Sequence, residues 1–103
     1  DEFGHGSWRT REILLQKFRG FLELRQLDGA ENSERKILKL DSDAQQWARY
    51  TSDALWLGKL YIEIAEIRRA TKVLRAGRAR AAEQHLSGEV ARFDHALEEI
   101  GGQ

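Results

Sequence analysis

The sequence predicts an all-α fold, a single-domain bundle of four or five helices, and three observations carry that expectation. Apolar residues recur at steps of three and four along most of the chain. No stretch alternates apolar and polar residues as a half-buried strand does, and β-branched residues are sparse outside the helical stripes. A length of 103 residues with 41% hydrophobic and 33% charged side chains suits one packed domain that folds without disulfides or metals.

The first helix is expected over Trp8–Leu27, where Leu14, Leu15, Phe18, Phe21 and Leu22 share a face and Ser7 or Thr10 caps the first turn. Ile13, Leu24 and Leu27 widen its stripe enough to touch two neighbours. Asp28-Gly29 reads as its end, since glycine accepts the left-handed conformation common there. A short helix then runs to Leu40, started by Asp28 with Glu31 or by Ser33, with Ile37, Leu38 and Leu40 inward.

Asp41, Ser42 and Asp43 interrupt the pattern, and Ser42 with Gln45 forms a capping-box arrangement for the next helix. From Ala44 to Ala76, Leu57, Leu60, Ile64, Ile67 and Leu74 keep a three-four rhythm, with Thr71 in the remaining seam position. Such a helix would be about 50 Å long, more than a domain of this size accommodates, so a break is expected near Thr51-Ser52 or at Gly58. Ala54-Leu55-Trp56-Leu57 is apolar on every side and is placed at the centre of the core. Gly77 is read as the next boundary, and the last helix as Arg78–Ile100 with Leu86, Val90, Phe93, Leu97 and Ile100 inward. Ser87-Gly88 either kinks that helix or divides it.

With 17 basic and 17 acidic residues the formal charge is zero, so no field of the whole molecule draws it to nucleic acid or lipid. There is no cysteine for a disulfide, a thiolate or a zinc site. No apolar run approaches a membrane span and no signal sequence is evident, so the reading is a soluble, intracellular chain without membrane contact, cytoplasmic if natural or recombinant, its localisation otherwise open.

His85 and His95 would point about 80° apart on one continuous helix, too far for a metal pair, and each has a glutamate four residues on, Glu89 and Glu99. Ser33, Ser42, Ser52 and Ser87 read as helix caps rather than nucleophiles. Asp41, Asp43, Glu98 and Glu99 are placed in polar connections or at a terminus, where nothing desolvates them. The glycines form no phosphate loop. No catalytic residue, no metal and no cofactor is expected.

The local anomaly is 68–80, where Arg68, Arg69, Lys72, Arg75, Arg78 and Arg80 occur with no acidic residue among them. Arg68, Lys72, Arg75, Arg78 and Arg80 are candidate phosphate-binding residues, the first three on one helical face. The competing account is a solvated face whose cations sit favourably near a helix end at Gly77. Nucleic acid is disfavoured, because no aromatic residues interleave with the basic ones for base stacking. No partner is required; a protein partner or self-association would use an exposed apolar patch, for which Trp8 and Trp47 are the candidates.

Leu57-Gly58, Tyr61, Ala70 and Leu74 resemble part of a tetratricopeptide repeat, with Ala54 where that family has tryptophan and no closing proline. The likeness implies a borrowed helical fragment, with no groove for a peptide. Proline, cysteine and methionine are all missing, and residues 1–7 read as a linker left by cloning, preceding a helical domain over 8–103. In these features the whole chain resembles a computationally designed helical protein, although Glu98 and Glu99 at a helix C-terminus depart from idealised design. The resulting expectation is a structural or designed helical protein without biochemical activity. The alternatives are a helical protein-interaction module and a weak nucleic-acid binder acting through 68–80.

Overall fold

A computed structural model describes residues 2–101, with side chains from residue 9 onward. Five helices follow in order: α1 (Glu2–Glu23), α2 (Leu27–Asp43), α3 (Trp47–Glu63), α4 (Ile67–Glu83) and α5 (Ser87–Gly101). No strand occurs among the described residues, and the all-α expectation of four or five helices is met by five. Among them no helix is long and apolar enough to cross a membrane. The chain divides into two compact units, Asp1–Ala44 and Gln45–Gln103.

In the first unit α1 packs against α2 as an antiparallel hairpin, the arrangement a three-residue connection dictates. Leu14, Phe18 and Leu22 are buried on α1, and Ala30, Ile37 and Leu38 on α2. Gly29 does not end a helix. It lies inside α2, facing the Phe21 ring so closely that a Cβ there would stand 2.7 Å from a ring carbon. Because α1 ends at Glu23, Leu24 falls in the turn and is 68% exposed; Ile13 is also exposed, so neither widens the buried stripe. Helix α1 begins upstream of Trp8, and the side chains of Ser7 and Trp8 lie outside the described residues.

The second unit is a three-helix array with α4 packed against both α3 and α5, and α3 also touching α5. Leu57, Tyr61, Ala70, Leu74 and Phe93 are fully buried, which puts Leu57 at the centre as expected, whereas Trp56 is half-buried. Small residues meet large ones across the helices. Leu74 lies on Gly58, and the Phe93 ring lies on Gly77 beside Ala54.

The expected boundaries in this half shift. The chain breaks at 64–66, not at Thr51-Ser52 or Gly58, and α4 runs straight through Gly77. Thr51 stays helical because its buried hydroxyl donates to the Ala48 carbonyl (3.0 Å), which satisfies it without a break. The three-four rhythm misled because Ile64 and Ile67, half-buried on either side of the turn, keep that spacing across it. Ser87-Gly88 marks a division, the second of the two outcomes anticipated there.

Helices α2 to α5 start twenty residues apart, at Leu27, Trp47, Ile67 and Ser87. The connections share one geometry, with Arg25, Gln45, Ala65 and His85 at φ values of 58°, 54°, 63° and 59°. At the α1–α2 turn the Gln26 N–H donates to the Phe21 carbonyl (2.8 Å) and the Arg25 N–H to Leu22 (3.1 Å), the paired bonds of a Schellman motif. The same pairs recur as Glu66 to Tyr61 with Ala65 to Ile62, and as Leu86 to Ala81 with His85 to Ala82. Gln26, Gln46 and Glu66 then begin the next helices without a side-chain cap, so Asp28, Ser33 and Ser42 are not N-caps.

One substitution made at two glycines should change sign between them. Gly20 has open space around its Cβ position, so Gly20→Ala should stabilise by about 0.5–1 kcal/mol through helix propensity alone. At Gly77 a Cβ would stand 2.5 Å from Phe93 Cζ and 2.9 Å from Ala54 Cβ, so Gly77→Ala should destabilise by about 1–3 kcal/mol. Urea unfolding of the two variants tests the contrast; equal shifts would show that the Gly77 contact relaxes freely.

Candidate functional site

Where α3 passes α5, their side chains leave an open trough of about 440 Å³ lined by Leu55, Lys59, Ala91, Arg92, His95, Ala96 and Glu99. Leu55 and Lys59 lie one turn apart on α3, and the α5 residues follow the same helical spacing. Leu55, Ala91 and Ala96 give an apolar floor because two of the three carry only a methyl group. The rim is ionic. His95 Nε2 lies 3.2 Å from Glu99 Oε1, the pair expected from sequence, and Arg92 Nη1 lies 3.8 Å from Glu89 Oε2.

Glu89 therefore faces Arg92 on its own helix. His85 stands in the connection before α5, so the two histidines do not share a continuous helix as expected. No group of three or more potential metal ligands occurs among the described residues. Ser33 is buried within α2 and Ser52 is exposed within α3, neither at a helix end. Asp41 corrects the expectation of a polar connection: it lies in α2 with no exposed surface, its Oδ1 3.9 Å from Arg11 Nε. The helix carries on through Asp41 because the following turn falls at Ala44–Gln46, which brings the residue onto the buried face.

No family model, curated protein or solved structure matches this chain. Its chemistry must be read from its own side chains.

The structure separates the five candidate phosphate-binding residues into two groups. Arg78 pairs with Asp94 of α5 through Nε, with Nη2 3.4 Å from the second carboxylate oxygen; this hydrogen bond, and then the carboxylate charge, raises the Arg78 pKa. Arg80 lies over the Trp47 ring at 4.7 Å and the Tyr50 ring at 5.7 Å, and its Nη1 is 3.3 Å from Glu83 Oε2. The half-buried Trp47, expected in an exposed apolar patch, is thus covered by a guanidinium. Arg68, Lys72 and Arg75 remain exposed along one face of α4.

The dipole account of those three cations does not survive the helix boundaries. Gly77 is interior to α4, and Arg68, second residue of the helix, stands in the first turn, where the dipole disfavours a positive charge.

The trough was missed in the sequence because its walls are more than thirty residues apart, between Leu55 and Ala91. Pairing them requires the turns at 64–66 and 84–86, which carry no glycine, proline or side-chain cap. The available signal was the exposed Ala91 among the charged residues of α5.

Proposed function

We propose that this chain is a non-catalytic helical-repeat protein that holds a short segment of a partner protein in the α3–α5 trough. The observation that carries this reading is the trough itself: an apolar floor of Leu55, Ala91 and Ala96 bounded by Lys59, Arg92, His95 and Glu99. A floor built of methyl groups leaves room for a large apolar side chain from outside, and the charged rim fixes its orientation. The twenty-residue step supports the reading, because stacked helices of constant spacing present side chains at regular intervals. The residues of the tetratricopeptide likeness, Leu57, Gly58, Tyr61, Ala70 and Leu74, are all buried in helices α3 and α4, which supports the helical-repeat part of the reading; none of them lines the trough.

The test is selection of peptides from a random library on the folded protein, followed by affinity measurement against Ala91→Arg. Ala91 is exposed, so the arginine fills the trough without disturbing the packing. Enriched peptides should share a large apolar residue and bind the variant about tenfold or more weakly, the effect of losing one buried anchor. Failure to enrich any peptide, or peptides indifferent to Ala91→Arg, would reject the trough as a binding site.

A further inference from the structure

We propose that the outer face of α4 is a second docking surface, separate from the α3–α5 trough, on which Arg68, Lys72 and Arg75 grip an acidic helical segment of another protein. Six of the other helical cations have an acidic partner. Arg35 pairs with Glu31, Lys39 with Asp43, Arg69 with Glu66, Arg80 with Glu83 and Arg92 with Glu89, each three or four residues away. Arg78 reaches across to Asp94.

Lys17 and Lys36 also lack an acidic residue at that spacing, but Arg68, Lys72 and Arg75 do so together on one face of α4. No acidic residue stands three or four positions from any of them, and the neighbours at those spacings include one another. Like charges at such spacing repel, and Arg68 also opposes the dipole at the start of α4. On α4 and in the turn before it, Glu66 and Glu83 are engaged with Arg69 and Arg80, and Asp94 of α5 with Arg78. Three exposed cations are therefore held together against local electrostatics, an arrangement that an incoming anion relieves.

Their spacing selects the occupant. Along the axis the three residues stand about 6 Å and then about 4.5 Å apart, within a narrow arc of the helix. A second helix lying alongside with carboxylates at i, i+3 and i+7 meets all three. These separations are comparable to the screening length of about 8 Å at physiological salt, so the cations act jointly. Nucleic acid fits less well. The net charge is zero, Arg78 and Arg80 are engaged elsewhere, and the Trp47 and Tyr50 rings are covered by Arg80 rather than open for base stacking.

The test uses a fluorescein-labelled peptide of about 20 residues, alanine and glutamine with glutamates at that spacing, followed by anisotropy at about 0.02 M and 0.15 M salt. Duplex DNA and oligothymidine serve as competing probes. The variant Arg68→Gln/Lys72→Gln/Arg75→Gln is compared with Lys17→Gln/Arg19→Gln/Lys36→Gln, which removes the same charge from exposed positions of α1 and α2. The α4 variant should bind the peptide about tenfold more weakly, as expected for three exposed pairs. The control should change by less than about twofold, Ala91→Arg should bind normally, and the α4 variant should unfold at a slightly higher temperature once its repulsion is removed.

Absence of peptide binding at low salt, equal loss in both triple variants, or a lower unfolding temperature of the α4 variant would overturn the proposal. So would DNA binding tighter than the peptide and dependent on the three cations. Because Ala91→Arg and the α4 variant address different surfaces, failure of the trough and failure of this face are read separately.

Discussion

Replacing Phe93 by alanine is expected to remove about 3–5 kcal/mol of stability, the largest effect of any single substitution considered. Phe93 is fully buried, and with Ala96 it supplies the fully or nearly fully buried residues of α5, whose other large apolar side chains, Val90, Leu97 and Ile100, are half-buried. Its ring fills the space that Gly77 leaves open on α4. Truncation therefore leaves a void bounded by a residue with no side chain to collapse into it. The loss should appear first as reduced amide protection in α5, before α1 and α2 respond, because stability in a helical array is largely a matter between neighbours.

A double-mutant cycle sharpens the test. Gly77→Ala clashes with the ring in the parent protein, but once Phe93 is alanine the added methyl meets the void on that side and keeps only its 2.9 Å approach to Ala54 Cβ. The combined variant should be more stable than the sum of the single effects by about 1–3 kcal/mol. Additive losses would mean that the two residues do not share the space.

The sequence made some of this legible, and the reason it stopped is physical. Phe18, Ile37, Leu57, Leu74 and Phe93 stood out as inward residues because helical periodicity is a property of large apolar side chains. Boundaries were sought where chemistry usually marks them, at glycines and at capping serines. Here Gly29, Gly58 and Gly77 serve close packing inside helices, and Ser33 and Asp41 are buried within α2.

The twenty-residue repeat is written in burial rather than in residue identity. The fourth positions of α2, α3 and α4 are Ala30, Tyr50 and Ala70, and the seventh positions of α2 to α5 are Ser33, Asp53, Val73 and Phe93, every one buried yet chemically unlike. The repeat therefore keeps no constant residue at these positions. The basic face was visible because it lies on one helix; the trough was not, because it needs two.

The second large effect is expected at the turns, and in the stabilising direction. Arg25, Gln45, Ala65 and His85 all hold the left-handed conformation, where a side chain's Cβ crowds the following carbonyl at a cost of about 1–2 kcal/mol per residue. At Arg25, Ala65 and His85 the Schellman bonds enforce that conformation whichever residue stands there, since they are made by the backbone. Glycine removes the crowding but gives back part of the gain through the greater freedom of its unfolded chain, about 0.5–1 kcal/mol. Each replacement should thus gain roughly 0.5–1 kcal/mol net. Arg25, Ala65 and His85 have exposed side chains, as does Gln45, so little packing is lost. The four sites lie on separate connections and should add, giving Arg25→Gly/Gln45→Gly/Ala65→Gly/His85→Gly about 2–4 kcal/mol over the parent. The urea midpoint should rise with an unchanged slope, and helicity should stay constant. A quadruple variant no more stable than the parent would show that these side chains make compensating contacts in the turns. The same glycines at Arg19 and Lys39, exposed positions inside α1 and α2, should instead destabilise by about 1 kcal/mol each, which separates the turn effect from any general consequence of adding glycine.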